Sequence, residues 1–275
     1  MKLPQFVRKH LMARHTDKVD AHYDAYNQTY QTHLGDIIQG SRTVNEKDLL
    51  NYLAQNMQLQ AGQKLIDAGC GFGGPAVFFV ENYGVNIDAL TINSEQRTIT
   101  KTKIALRHLN TKLSVKQGDF HFLSNYFTPE TYDGIYFFES FCHAYDYERV
   151  LREAVKVLKP GGFVYIKDYL VNESLNGLDK KRFANILDKI NRFYKFKFTE
   201  QQNSPMGMRA LLTQAGFETE MIQPVAYLHD NFEKVSAFHT ATQNNEDNYI
   251  AGNLEDVFKV VGMYELRARK PLKGN

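Results

Sequence analysis

Residues 65–74 read LIDAGCGFGG. Four residues that suit a strand run into a turn holding Gly69, Gly71, Gly73 and Gly74, and PAVFFVENYG (75–84) then has the apolar spacing of a helix. Gly69, Gly71 and Gly74 satisfy G-x-G-x-x-G, in which glycines let the backbone approach a ligand and aim a helix N-terminus at it. Tight turns use glycine for other reasons, so the strand before and the helix after give the pattern its meaning. Outward from the loop the alternation continues. VNIDALTIN (85–93) reads as a strand, Ser94 to Leu109 as a helix, KLSVKQGD (112–119) and YDGIYFFES (132–140) as strands. YERVLREAVKVL (147–158) reads as a helix, and GFVYIKDYLV (162–171), FETEMIQPV (217–225) and MYELRARK (263–270) as further strands.

Strands alternating with helices predict a Rossmann-like, doubly wound α/β fold, with a mostly parallel seven-stranded sheet. Three stretches are expected: a helical N-terminal lid over 1–42, a cofactor-binding core over 43–171, and the rest of the sheet over 172–275. The last carries helical substrate-cap insertions at about 172–208 and 228–262. Thr43 opens TVNE, a capping-box pattern ahead of the helical face Leu49, Leu50, Leu53 and Met57. Ligands of open α/β sheets bind beyond the carboxyl ends of the strands, where such insertions build pockets.

Composition narrows the function. In 275 residues, 43% are hydrophobic and 23% charged, as in ordinary globular proteins. A net charge of +2 argues against a nucleic-acid partner. No apolar run reaches membrane-spanning length, and the N-terminus lacks the apolar core of a signal peptide, so a cytoplasmic location is expected. Cys70 and Cys142 sit in glycine-rich or apolar surroundings that suit buried free thiols. Nineteen Phe and 16 Tyr are enough rings for a core and an aromatic substrate pocket as well. A homo-oligomer stays open.

The residues around the glycine loop select the cofactor. A nicotinamide dinucleotide calls for an acid at the tip of the second strand. Asp88 has the right offset but falls inside that strand, whose tip is nearer Thr91 and Asn93. Asp67, two residues before the first glycine, suits an amino-acid ammonium better than a pyrophosphate. That points to S-adenosylmethionine, which has an ammonium, a sulfonium and no phosphate.

These segments resemble the class I S-adenosylmethionine-dependent methyltransferases over roughly residues 20–225. LIDAGCGFGG is similar to their first motif, KQGDFHFL (116–123) to the adenine-side motif with Asp119 and Phe120, and YDGIYFFES to the fourth-strand motif. VLKPGGFVYI (157–166) is similar to the stretch entering the fifth strand. FFESFCHAYD (137–146) resembles a segment of the sterol and prenyl-diphosphate C-methyltransferases, and ALTINSEQ (89–96) one of the cyclopropane fatty-acid synthases. By this resemblance the cofactor-binding set is Asp67, Gly69, Gly71, Gly73, Thr91, Asn93, Gln96, Asp119 and Phe120. HYDAYNQTYQ (22–31) resembles the N-terminal lid and adds Tyr23. Many class I enzymes carry an acid where this chain has Thr91.

Methyl transfer is an in-line displacement. An alkene acceptor attacks through its π electrons and leaves a carbocation that must be stabilised and then lose a proton. Aromatic faces serve the first need and a nearby carboxylate both. Glu139, at the end of an apolar strand, is the expected general base, made more basic by desolvation. His143 is its expected partner or a second substrate contact, and Asp168 a further candidate contact. The segment DKKRFANILDKINRFYKFK (179–197) has seven basic and two acidic side chains beside an apolar stripe. It reads as a solvated helix face, a diphosphate clamp or a contact with an anionic surface. The resemblance implies a small hydrophobic acceptor, an isoprenoid alkene such as a prenyl diphosphate or a sterol-like compound, with Mg2+ if the acceptor is a diphosphate. An O- or N-methyltransferase of a specialised metabolite, and a non-catalytic S-adenosylmethionine-binding protein, are the alternatives.

Overall fold

Apolar runs that lack clean alternation make strands buried on both faces, and such strands lie in the middle of parallel sheets. That is where β1 (Lys64–Ala68) and β4 (Tyr132–Phe138) lie, paired in parallel with Asp67 opposite Tyr136. The computed structural model describes residues 4–38, 45–175, 177–226 and 254–272, with residue 241 in addition. With β2 (Asn86–Thr91), β3 (Leu113–Gln117), β5 (Leu158–Val171), β6 (Glu218–Pro224) and β7 (Val261–Arg269), the seven-stranded sheet has the order β3-β2-β1-β4-β5-β7-β6. Strand β7 runs antiparallel between β5 and β6, and every other pairing is parallel. The order reverses between β1 and β4, which opens a crevice at their carboxyl ends.

Helices cover both faces. On one, α2 (Glu46–Met57) and α3 (Gly74–Tyr83) bury Leu49, Leu53, Phe79 and Val80 against Tyr136 and Tyr165, with α4 (Ser94–Leu106) beside them. On the other, α5 (Tyr147–Val157) and α8 (Pro205–Ala215) bury Val150, Leu151, Leu211 and Leu212 against Ile135, Phe137, Val164 and Ile166. A separate apolar cluster joins α6 (Lys180–Tyr194) to α9 (Leu254–Val260) through Phe183, Ile186, Ile190, Val257 and Val260. The short α7 (Glu200–Asn203) links α6 to α8. The long α1 (Gln5–Leu34) places Tyr30 and Leu34 against Phe72 of the glycine loop.

Several boundaries move from their sequence positions. Thr43 lies outside the described residues, and α2 starts at Glu46, capped by Asn45, whose side chain accepts from the Lys47 and Asp48 N–H groups. Glu46 is therefore the first helical residue, not the third. Strand β5 starts at Leu158, ahead of the Pro-Gly-Gly turn, because Leu158 pairs with Tyr132 before the register shifts. Helix α8 starts at Pro205, three residues before Met208, with Ser204 as its cap. Strand β7 takes Val261 and Gly262 from the expected second insertion, of which 228–240 and 242–253 lie outside the described residues. The apolar stripe of α6 is core. Arg182 and Arg192 in the basic run pair with Asp256 and Asp188. Among the described residues no helix is long and apolar enough to cross a membrane.

Candidate active site

Gly69 ends β1 at φ +95°, a conformation L side chains rarely adopt. Its N–H and that of Cys70 both reach the Leu90 carbonyl, at 2.8 and 2.9 Å, which folds the loop back onto β2. A methyl group added to Gly69 would lie 2.4 Å from the Ser140 Cβ, so bare backbone is required where the loop meets the end of β4. Beyond this contact lies a cavity enclosing about 730 Å³ of space, part of it open to solvent. Gly69 and Gly71 form its floor; Thr91 and Gln96, Asp119 and Phe120, and Glu139 and His143 form its walls; and Thr16, Val19 and Tyr23 of α1 close it.

Nine of the sequence-derived candidates thus share one cavity: Tyr23, Gly69, Gly71, Thr91, Gln96, Asp119, Phe120, Glu139 and His143. Gly73, Asn93, Asp67 and the further candidate Asp168 are not on its wall. Gly73 caps α3 and packs against Thr100. Asn93 caps α4 through its side-chain oxygen and donates to Asp20 and Asp24 at 2.8 and 2.6 Å. Asp67 is buried behind the loop, where burial pushes its carboxyl up to about 7 against the opposing effect of the Tyr136 hydroxyl. Among the described residues its Oδ2 makes no hydrogen bond within ordinary range, which leaves an acceptor beside the glycine cradle. Asp88 is occupied elsewhere, by the Ser114 and Tyr132 hydroxyls.

The polar wall is pre-arranged. The Thr91 hydroxyl donates to Gln96 Oε1 at 2.8 Å. Asp119 accepts the His121 N–H and ring Nδ1–H through Oδ1, at 2.9 and 2.6 Å, and the Thr16 hydroxyl through Oδ2 at 3.1 Å. His121 Nε2 accepts the Tyr145 and Asp146 N–H groups, which puts the ring proton on Nδ1. Burial raises the Asp119 pKa, but the His121 and Thr16 bonds outweigh it and hold the carboxyl below its ordinary value. His121 also lines the cavity; the Asp-x-His spacing in GDFH was its only sequence signal.

The residues at the end of β4 pair differently from the sequence expectation. His143 shares a 2.9 Å hydrogen bond through Nε2 with the Tyr23 hydroxyl, while Glu139 forms an ion pair with Lys167. Lys167, in β5, was not among the candidates. An ammonium beside Glu139 removes the premise that its surroundings are purely apolar. Glu139 itself sits at φ +53°, one of five non-glycine residues with positive φ among the described residues. Such backbone strain costs on the order of 1–2 kcal/mol and concentrates at functional sites. Asp168 is buried, with its oxygens on the Cys142 and Tyr169 N–H groups, so it anchors the turn after β4. Burial pushes its carboxyl up to about 7. Cys70 and Cys142 are free and buried.

Helix α1 is fastened to this wall by polar contacts. Asn27 Nδ2 donates to Asn93 Oδ1 at 3.0 Å and Glu95 Oε2 at 2.8 Å, and its Oδ1 accepts Gln96 Nε2 at 3.0 Å. Asn27→Leu keeps the size but removes partners from the buried Asn93 and Gln96 amides, at about 1–3 kcal/mol. Calorimetric titration is expected to show S-adenosylmethionine binding weakened about tenfold, with Gln96 released from its position.

Three histidines at the same interface are held neutral. Burial pushes His15 and His22 down to about 4 and His143 down to about 3. For a histidine that is depressed in the folded state, the contribution to stability is complete above the unfolded value of 6.5. It is lost as the pH falls from there toward 4. His22 packs among Tyr23, Tyr26, Tyr30 and Phe193. The thermal midpoint of His22→Phe is therefore expected to fall less than that of the unsubstituted protein between pH 7 and 4.5. Parallel falls in the two proteins would remove His22 as a source of acid sensitivity.

A glycine cradle without a pyrophosphate-seeking acid at the β2 tip, opening beside an acid just after β4, is the arrangement expected of the S-adenosylmethionine-dependent methyltransferase fold. More narrowly, residues 10–264 match the mycolic acid cyclopropane synthetase family, and the chain belongs to that family. Its relatives include the sterol 24-C-methyltransferases of Aspergillus fumigatus and Saccharomyces cerevisiae. The first is 36% identical over 45% of this chain and 32% of that protein, the second 33% identical over 70% and 48%. The chain thus spans about a third to a half of the length of these relatives. The fold is shared with the [4+2]-cyclase SpnF (TM-score 0.72, 19% identity, 93% of this chain and 96% of that one). It is shared also with geranyl diphosphate C-methyltransferase from Streptomyces coelicolor (TM-score 0.65, 16% identity, 82% and 79%).

Proposed function

We propose that the protein methylates carbon in a small hydrophobic isoprenoid alkene, a prenyl diphosphate or sterol-like compound, with Glu139 taking up the proton released. The observation that carries this reading is Glu139: a carboxylate at strained φ on the wall of the cavity that the glycine loop opens into. The sterol and geranyl diphosphate methyltransferases among the similar proteins support the acceptor class.

The residues present fit S-adenosylmethionine. Gly69 and Gly71 offer bare backbone, Thr91 and Gln96 offer hydroxyl and amide groups for the ribose, and Asp119 and Phe120 offer a carboxylate and a ring face for the adenine. When bound, the cofactor supplies an electrophilic methyl group on a sulfonium. The protein's own part is to hold the alkene in line and exclude water. Helix α1 does the second by covering the site with Val19 and Tyr23. The Phe138 and Tyr23 rings line the same cavity and are available to stabilise a cationic centre on the acceptor. Glu139 then accepts the proton from the carbon next to that centre, and the C–H electron pair becomes a new double bond. Such a proton is acidic enough that an ionised, well-aimed carboxylate suffices; unusual basicity is not required. Mg2+ enters this reading only with a diphosphate acceptor, as in the S. coelicolor structure, which holds Mg2+ with geranyl diphosphate.

The test is a screen with radiolabelled S-adenosylmethionine against prenyl diphosphates, sterols, phenols and amines, followed by mass spectrometry of the product. Label on carbon of an isoprenoid is the expected result. Label on oxygen or nitrogen would replace the reading with a heteroatom methyltransferase. Cofactor binding with no acceptor labelled would favour a binding protein.

A further inference from the structure

Lys167 stands inside FVYIKDYLV, and its side chain is fully buried. A buried ammonium requires a countercharge. The sheet sets two carboxylates beside it. Glu265 is its cross-strand neighbour on β7, and Glu139 follows Phe138, its neighbour on β4. Glu265 is already satisfied by neutral donors: Oε1 accepts from the Tyr52 hydroxyl and, at 2.7 Å, from the Gln223 amide. Its Oε2 accepts from the Tyr165 hydroxyl and, at 2.8 Å, from the Asn56 amide. The ammonium turns to Glu139 Oε1, the one ion pair it forms among the described residues. Lys167 holds the same residue a second time through the backbone, since the Glu139 N–H donates to the Lys167 carbonyl at 2.8 Å. Oε2 of Glu139 has no hydrogen bond among the described residues and is the oxygen left for a ligand in the cavity.

We infer that Lys167 is a positioning residue for methyl transfer. Its ammonium pins one oxygen of Glu139 and neutralises the carboxylate, so the other oxygen is fixed toward the acceptor. The inference rests on the reading of Glu139 as the proton acceptor. When Oε2 takes the proton, the electron pair of the broken C–H bond stays on the acceptor as the new double bond. The Glu139–Lys167 pair then passes from neutral to a net single positive charge. A buried cation without a countercharge is unfavourable, so the pair gives the proton up to water once the product leaves. The four donors around Glu265 thereby also serve the site, because they keep a second carboxylate from drawing Lys167 away.

Lys167→Met, Lys167→Arg, Glu139→Gln and the Lys167→Met/Glu139→Gln double variant test this. In thermal unfolding without ligands, Lys167→Met is expected to lower the midpoint and the double variant to recover it, because the stranded charge is gone. In turnover of the acceptor labelled in the screen, Lys167→Met is expected to lower kcat about 100-fold with the KM for S-adenosylmethionine within twofold. Lys167→Arg should regain at least tenfold of that loss, and the double variant should be no slower than Glu139→Gln. Full kcat in Lys167→Met with Glu139→Gln inactive overturns this inference alone, as do additive losses in the double variant. Full kcat in Glu139→Gln, or no labelled acceptor in the screen, overturns the underlying reading and this role with it.

Discussion

Glu139→Gln is expected to lower kcat about 10³-fold while changing the affinity for S-adenosylmethionine less than about twofold, since a positioned general base contributes on the order of 10²–10⁴. The amide keeps the shape and can still accept from Lys167, but it carries no charge and takes up no proton. The proposed cofactor contacts lie on other elements: Gly69 and Gly71 after β1, Thr91 at the end of β2, Gln96 at the start of α4, Asp119 after β3. Binding and turnover should therefore separate. The change also leaves Lys167 buried without a countercharge, which costs about 3–5 kcal/mol for a fully enclosed pair and less here, because Glu139 keeps some exposure. Thermal unfolding beside calorimetry and kinetics shows whether the loss of rate exceeds any loss of folded protein. Wild-type kcat in a folded Glu139→Gln protein would falsify the assignment.

Gly69→Ala is expected to weaken cofactor binding more than about 100-fold and to destabilise the protein by about 3 kcal/mol, from two additive sources. The first is backbone strain, because Gly69 sits at φ +95°. The second is the 2.4 Å approach of the new methyl to the Ser140 Cβ. Ser140 cannot retreat freely, because its hydroxyl donates to the Ala68 carbonyl at 2.6 Å. It is also the residue after Glu139, so relief of the clash moves the proposed base. Gly69→Ala should thus impair both binding and rate, unlike Glu139→Gln. Denaturant unfolding and calorimetric titration check it; binding within threefold of wild type would mean that the loop tolerates the methyl and does not cradle the cofactor closely.

Local pattern made most of the fold legible. The strand cores were readable because runs such as YDGIYFF are buried on both faces, a state that leaves its mark on composition. The crevice followed from topology, since the glycine loop and FFESFCHAYD both end strands at the same edge of a parallel sheet. Helix starts were less legible where several polar residues competed for one cap, as with Thr43 and Asn45 before α2. The placement of Asn93 was missed for a similar reason: a residue at a strand tip equally serves as the cap of the helix that follows.

The sequence by itself determined the α/β class, the glycine cradle and the site candidates on the cavity wall, because each rests on residues close together in the chain. Only the tertiary structure decided their partners. A lone lysine in the apolar run FVYIKDYLV announces a buried charge pair without naming the partner. Glu139 was selected over Glu265 because α2, β5 and β6 bring Tyr52, Asn56, Tyr165 and Gln223 around Glu265. In the same way, His143 met Tyr23 of α1 rather than the glutamate four residues before it. The physical reason is common to both. A buried polar group takes whichever partner long-range packing brings within about 3 Å, and sequence separation sets no limit on that choice.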